Sequence, residues 1–421
     1  MSFGFLGVQI GYSLQNSNTS TIFESLGADV SHLSYFWLAA PLAGMIVQPI
    51  VGLFSDGTWT RLGRRMPYIL AGAVISSLAL MLMPNCPKLL AFAPLAMGAF
   101  ILLFMDLSFN VTMQPFRALV ADMLNDSQKT EGYVVQTFLI NLGAVIGAML
   151  PLVLTWCGVS DKAEPGHVSA HIAWAYYIGG AILLLTVLVT VFKTKEYPPS
   201  EFASYNGDST EDKTESLGFL SLIKDTPGVM IRLGVTQFFS WAALFLMWTY
   251  LKPAISGSIT DPTTGAVLSE GATQTWVGVL NGIYPIPACI AALFLTSLAS
   301  RFGNKVVYMT CLALGAAGFA GLYLLHDKYA LMIPMVGIGI AWAGILAMPY
   351  AILSRYLDTR RIGVYMGIFN FTITLPQIVI GLCGGLIVNY CFGNNAVHML
   401  ALASVFMILA AVSVLAIKET K

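Results

Sequence analysis

Apolar runs long enough to cross a bilayer recur from one end of this chain to the other, and no other feature narrows its possible folds so far. A transmembrane helix needs about 20 predominantly apolar residues, and the chain offers such runs repeatedly among its 421 residues. Hydrophobic residues make up 57% of it and charged ones 10%, and the mean hydropathy is +0.76. A water-soluble domain of this length would need a charged covering that 21 basic and 21 acidic residues cannot supply. The chain reads as a polytopic membrane protein. The even charge balance and a pI near 6.9 argue against nucleic acid as a partner.

Apolar runs between polar or Gly/Pro-bearing breaks predict twelve helices near 2–23, 33–54, 65–84, 89–123, 129–157, 172–193, 227–252, 273–298, 304–325, 330–355, 361–390 and 395–417. The fourth, fifth and eleventh exceed a bilayer's thickness, which predicts tilt or extension beyond it. The N-terminal "MSFGFLGVQIGYSLQ" has no basic n-region and no convincing cleavage site, and reads as the first span itself. Between the sixth and seventh spans, Thr194 to Asp225 carries seven acids, three lysines and "YPPS" without apolar period, the mark of a linker. The expected organisation is all-α: a six-helix bundle over 1–193, a cytoplasmic linker over 194–225 and a second six-helix bundle over 226–421.

Two internal echoes suggest that the halves are parallel repeats. "SDGTWTRLGRR" after the second span returns as "TSLASRFGNK" after the eighth, and "MQPFRALVADML" ending the fourth returns as "MPYAILSRYLD" ending the tenth. Arg61 to Arg301 is 240 positions and Pro115 to Pro349 is 234, nearly one offset. Such repeats are the pattern of many secondary transporters. Orientation follows from Lys and Arg placement. With the N-terminus in the cytoplasm, 17 of the 21 basic residues fall on the cytoplasmic side; Lys88, Lys162, Lys252 and Lys328 do not. Both termini are then cytoplasmic.

The fourth span puts an acid inside hydrocarbon. On a helix turning about 100° per residue, Asp106, Asn110, Gln114 and Arg117 of "MDLSFNVTMQPFRALVADML" fall at roughly 0°, 40°, 80° and 20°, one stripe. Asp122 lies about 160° away, near the cytoplasmic end. A charge at mid-membrane costs at least about 2.5 kcal/mol, so Asp106 should face a bundle interior or an aqueous cavity. It is a candidate proton carrier; the competing reading is a permanently protonated acid that glues helices together. Further stripes fall in the first span, Gln9, Ser13 and Asn16, and in the eleventh, Asn370, Thr374 and Gln377. Neutral amides and hydroxyls supply donors and acceptors together, which suits a polyhydroxylated ligand, although such stripes also glue helices. Aromatics could add platforms for sugar rings: Tyr12, Trp37, Phe239, Trp241, Trp248, Tyr284, Trp342 and Tyr350 are candidates, each alternatively packing or an interfacial anchor.

Pro115, Pro285, Pro287, Pro349 and Pro376, with Gly132, Gly143, Gly147, Gly363 and Gly367, can break or kink helices, though close packing accounts for many glycines. The six cysteines are scattered and read as small buried hydrophobes. No HExxH, GxSxG or GxxxxGK[ST] occurs, so neither an enzyme nor ATP hydrolysis by this chain is expected. The five histidines fall in loops or helix ends, and His167 and His171 make a poor metal site.

"GLFSDGTWTRLGRR" resembles the loop motif that major facilitator superfamily transporters place between their second and third helices, with Asp56, Arg61, Gly63, Arg64 and Arg65 matching. "RLGRRMPYILAG", "MDLSFNVTMQPFRALVADML" and "MPYAIL…GVYMGIFNFTITLPQIV" are similar to the glycoside-pentoside-hexuronide cation symporters, in their sucrose/maltose proton symporter branch. Asp106, Asn110, Gln114, Pro115, Arg117, Ala118, Leu119 and Asp122 match that branch's fourth helix, and Gly367, Asn370, Pro376 and Gln377 its eleventh. The resemblance implies the twelve-helix facilitator fold, no cofactor beyond a proton as coupling ion, Asp106 as proton-binding acid, and a disaccharide held between the halves. It also implies a conformational charge lock of Asp56, Arg61, Arg64 and Arg65, to which Arg117 and Asp122 are added. Candidate sugar-binding residues are Gln9, Tyr12, Ser13, Asn16, Asn110, Gln114, Asn141, Trp241, Asn370, Thr374 and Gln377. The chain departs from the plant symporters in lacking an arginine over Gln136 to Pro151, so Asp106 is expected to be balanced by neutral donors such as Gln9 or Asn141, or coupling differs. Ser34 to Val51 contains no acid, which favours protons over the sodium of the melibiose branch.

The expected protein is therefore a monomeric proton-coupled importer of maltose or sucrose in a bacterial inner membrane, its partners being sugar and lipid bilayer. Efflux or antiport of another small polar solute, or a non-transporting sugar sensor, remain the alternatives.

Overall fold

The structure, a computed structural model, describes residues 1–26, 33–90, 92–160, 167–198, 201, 226–357 and 362–417. It is all-α among the described residues, with only isolated bridges such as Thr60–Gly63 in place of strands. Helices run in the order α1 (Phe3–Ser25), α2 (Leu33–Gly57), α3 (Met66–Leu82), a short α4 (Cys86–Leu89), α5 (Pro94–Met123), α6 (Asp126–Trp156) and α7 (Ala170–Lys193). After the linker come α8 (Gly228–Ile255), α9 (Glu270–Ile283), α10 (Pro285–Phe302), α11 (Asn304–Leu324), α12 (Met332–Leu353), α13 (Ile362–Phe369), α14 (Phe371–Leu386) and α15 (Val397–Ser413).

Among the described residues, ten helical segments are long and apolar enough to cross a membrane, and Leu42–Gly57 within α2 is a further apolar stretch. The first helix falls short in apolarity because Gln9, Ser13, Gln15, Asn16, Asn18 and Thr19 dilute it. With α1 and α2, the helical segments follow the twelve predicted spans.

Two spans are broken, for different reasons. The eighth splits at Tyr284, directly before Pro285, whose missing N–H and ring clash end the preceding helix. The eleventh gives way at Asn370, whose N–H is shared between the carbonyls of Met366 and Gly367. Pro115, Pro349 and Pro376 lie inside helices that continue through them.

By contacts the chain forms two units. Unit 1 gathers Met1–Asn125, Leu142–Thr226 and Leu357–Asn370; its pairings include α1 on α7, α3 on α5 and α7, and α13 on α2 and α5. Unit 2 gathers Asp126–Asn141, Pro227–Tyr356 and Phe371–Lys421, built on α11 against α12 and α15, and α8 against α14 and α15.

Both units invert the water-soluble pattern. Phe54, Phe100, Leu185, Phe192, Ile333 and Leu382 are exposed, while Gln15, Gln48, Asp106, Asn141 and Gln237 are buried. Hydrocarbon outside rewards apolar faces and forces polar groups inward to find partners. The cysteines divide: Cys86 and Cys311 are buried as expected, whereas Cys157, Cys383 and Cys391 are exposed, a correction that follows from the same inversion.

Between α1 and the end of α6 contained in unit 1, glycine sets the helix separation. A Cβ on Gly143 would stand 2.5 Å from the Leu6 carbonyl oxygen, and one on Gly147 would stand 2.6 Å from that of Ile10. Four residues apart, the two glycines let the backbones touch, the small-residue packing of membrane helices. Gly147→Val should destabilise the protein by about 1–3 kcal/mol through overpacking, read as a lowered thermal unfolding midpoint in detergent; an unchanged midpoint would contradict this contact.

Candidate functional site

In unit 1 the polar residues of α5 are tied to α1, α2 and α13 by hydrogen bonds. Asp106 is 2% exposed, and its Oδ1 accepts from Gln15 Nε2 on α1, itself fully buried. Among the described residues no cation pairs with Asp106. One turn along, Asn110 donates to the Asp106 carbonyl at 2.8 Å and accepts from Gln48 on α2 at 2.6 Å. A further turn along, Gln114 donates to the Gly363 carbonyl on α13 and leaves its own Oε1 without a partner. Arg117 is half-buried.

The other predicted residues of α1 are arranged differently. Ser13 donates to the Ala144 carbonyl on α6 at 2.9 Å, Gln9 is half-buried beside Gly143, and Asn16 is exposed. Tyr12 meets Phe109 edge to face at 5.7 Å. Gln9 makes no hydrogen bond to Asp106 among the described residues. Asn141, in unit 2, gives its amide to the Thr137 carbonyl at 2.8 Å and keeps an unpartnered Oδ1. Gln15 supplies the neutral donor instead. It lies about 240° around α1 from Gln9, so a search for a single stripe passes over it.

A second cluster lies where α2, α3, α5 and α13 end. Arg65 is fully buried; it pairs with Asp56 at 2.5 Å and with Asp122 at 2.8 Å, and its Nη1 donates to Ser55 Oγ at 2.5 Å. Arg64 joins Asp122 at 2.7 Å. Burial alone would pull the Arg65 guanidinium down, but Asp122 and Asp56 more than offset it and hold the residue charged. Of the two other predicted members, Arg117 is half-buried, and Arg61 is exposed with no ion pair to this cluster among the described residues.

Asp56 does a second task. Its carboxylate accepts from the N–H groups of Gly363 at 3.0 Å and Val364 at 2.7 Å, capping the first turn of α13. Glu196, from just beyond α7, caps α3 in the same way, accepting from the N–H groups of Arg64 at 3.0 Å, Arg65 at 2.9 Å and Met66 at 3.0 Å. Burial pushes the Glu196 carboxyl above its ordinary value, and the three N–H groups oppose that rise. Glu196 had no local signal: it sits in a charge-rich stretch that reads as solvated linker.

In unit 2, Trp241 is 7% exposed and anchors an aromatic cluster. Its ring centroid lies 5.3 Å from Trp342 and 6.2 Å from Trp248, and Tyr284 stands 6.2 Å from Trp342. Phe239 packs on Phe238 and Phe406, Tyr350 stacks on Tyr133, and the side chain of Trp37 lies outside those described. The predicted stripe of Asn370, Thr374 and Gln377 assumed one continuous helix. The break at Asn370 interrupts it: Asn370 belongs to unit 1 and donates to the Gly44 carbonyl at 3.1 Å, while Thr374 is buried and Gln377 half-buried in unit 2.

Arg65→Met would leave Asp56 and Asp122 buried without their shared cation, a loss of about 3–5 kcal/mol. Thermal unfolding should register it, and Asp122→Asn in the same chain should restore part of the loss. Equal stability of parent and single variant would show that the cluster is not what holds these helix ends.

The family model of MFS/sugar transport proteins matches residues 22–390. Sucrose transport protein SUC4 of Arabidopsis thaliana is 28% identical, the match spanning 99% of this chain and 88% of SUC4. Sucrose transport protein SUT1 of Oryza sativa subsp. japonica is 25% identical over 97% of this chain and 85% of its own length. Two solved structures share the fold. The E. coli fucose:proton symporter FucP aligns with a TM-score of 0.74 at 13% identity, covering 99% of this chain and 98% of FucP. The proton:xylose symporter XylE aligns with a TM-score of 0.73 at 12% identity, covering 100% and 95%.

Proposed function

The chain belongs to the MFS/sugar transport protein family, and from that premise we propose that it imports a glucoside disaccharide, maltose or sucrose, together with a proton by alternating access. The observation that carries proton coupling is Asp106, an acid buried in a membrane helix with one neutral donor, Gln15, and no cation paired to it among the described residues. A carboxylate held this way can take up and release a proton without breaking an ion pair.

In this mechanism ionised Asp106 occupies the Gln15 amide N–H. Protonation turns the carboxyl into a donor, for which the unpartnered Gln15 Oε1 is an acceptor at hand. The amide N–H is then released to bind sugar hydroxyls, so proton and sugar favour each other's binding. Sugar and proton must bind the two conformations of the bundle unequally, since only differential affinity shifts such an equilibrium. Asn110, Gln114, Gln9, Tyr12, Ser13, Asn16, Asn141, Trp241, Asn370, Thr374 and Gln377 are the proposed sugar contacts. Asp56, Arg64, Arg65 and Asp122, with Arg61 and Arg117, are the proposed conformational lock. The proposed setting is a bacterial inner membrane, both termini cytoplasmic and the chain acting as a monomer, supported by the 17-to-4 division of basic residues.

In proteoliposomes with an imposed inward proton gradient, the parent should accumulate labelled maltose or sucrose. Asp106→Asn should retain sugar exchange and lose accumulation; accumulation that survives the substitution would make Asp106 structural glue. Gln15→Leu leaves the buried carboxylate without its donor and should slow gradient-driven uptake by about ten- to a hundredfold. Uptake at the parental rate would remove Gln15 from the coupling mechanism.

A further inference from the structure

On α8, two buried donors on neighbouring turns have no acceptor. Gln237 and Trp241 are four residues apart, so they rise from one helix face, separated by about 6 Å along the axis. Gln237 is fully buried, and its Oε1 accepts from the Tyr308 hydroxyl at 3.3 Å and from Ser240 Oγ at 3.4 Å. Those hydroxyls orient the amide: its oxygen is engaged, and its Nε2 has no hydrogen-bond partner. Trp241 Nε1 has none either. A buried donor is costly to leave unmade, and two in succession mark a place suited to an acceptor that the protein does not supply.

The surroundings define that acceptor. Trp248 and Trp342 join Trp241 edge to face, Tyr284 meets Trp342 in the same way, and Trp248 and Trp342 are half-exposed. Rings meeting edge to face leave faces that no neighbouring ring stacks upon. Among the described residues, the hydrogen-bond and ring partners of Gln237 and Trp241 are all neutral. An anionic ligand would find no countercharge in this set, and an acyl chain would offer the donors nothing. A ligand with several neutral oxygens and a flat C–H face satisfies both halves of the site, and a pyranose ring has both.

We propose that α8 and α12 carry a pyranose subsite in which Gln237 Nε2 and Trp241 Nε1 donate to oxygens of one sugar ring while Trp342 and Trp248 cover its C–H face. The inference rests on the sugar-transport reading and extends it to Gln237, which no sequence pattern singled out. It gives unit 2 a part in recognition separate from proton handling at Asp106.

The test is sugar uptake by the full chain in proteoliposomes, with maltose, sucrose and their monodeoxy derivatives as probes. Trp241→Phe keeps an aromatic ring and deletes the N–H; Gln237→Met keeps length and deletes the amide. Each should raise KM for the parent sugar by about three- to tenfold, with the maximal rate held within twofold. Each should also lose the parent's discrimination against one particular deoxy derivative, since the hydroxyl that derivative lacks no longer has a donor to satisfy. A purely structural role would not erase selectivity for a single hydroxyl. If the parent transports sugar but both variants keep its KM and its deoxy pattern, the subsite is overturned and the sugar-transport reading stands. If the parent takes up no glucoside, both fall.

Discussion

Hydrocarbon solvates no polar group, and the arrangement of this protein follows from that constraint. Every donor, acceptor and charge that enters the membrane must be answered from within. Apolar side chains therefore crowd the outer faces, and the interior of each unit is threaded with amides, hydroxyls and a few ions. The same constraint explains why the glycines of α6 matter: where no water-driven squeeze holds helices together, close backbone contact contributes much of the attraction.

Within that interior two kinds of polar structure stand side by side. Around Arg65 the charges answer one another: one fully buried guanidinium serves two carboxylates and a hydroxyl, and Asp56 and Glu196 extend the cluster into helix caps. This cluster is knit by ion pairs, with Asp122 Oδ1 left unpartnered, and organises four helix ends. Around Asp106 and Gln237 the polar groups are only partly answered, and Gln15 Oε1, Gln114 Oε1 and Gln237 Nε2 keep unused capacity. Ion-paired networks suit a lock, and neutral ones with spare donors or acceptors suit groups that wait for a ligand or a proton.

The fold was largely legible in the residues because its signal is long and repeated. The span predicted at 172–193 forms as Ala170–Lys193, and that predicted at 395–417 forms as Val397–Ser413. The break before Pro285 announced itself by the missing N–H of proline. The break at Asn370 did not, for no proline marks it, and it undid the stripe drawn through Thr374 and Gln377. At the candidate site, Asp106 was legible because a charge inside an apolar helix is conspicuous. Gln15 was not, since the stripe of Gln9, Ser13 and Asn16 lies on one face of α1 and the helix turns another to Asp106. Glu196 and Gln48 pair with residues far away in the chain, and such pairing leaves no local signature.

The cap that Glu196 places on α3 has a consequence for the order in which this protein assembles. Its carboxylate reaches the Met66 N–H from 130 residues further along the chain. A ribosome adds about 5–20 residues per second, so the interval between making the turn and making its cap is on the order of ten seconds. Throughout that interval the first turn of α3 lacks the carboxylate that caps its N–H groups in the folded protein. The start of α3 is thus synthesised well before the residue that caps it. Biogenesis and native architecture run in different orders here.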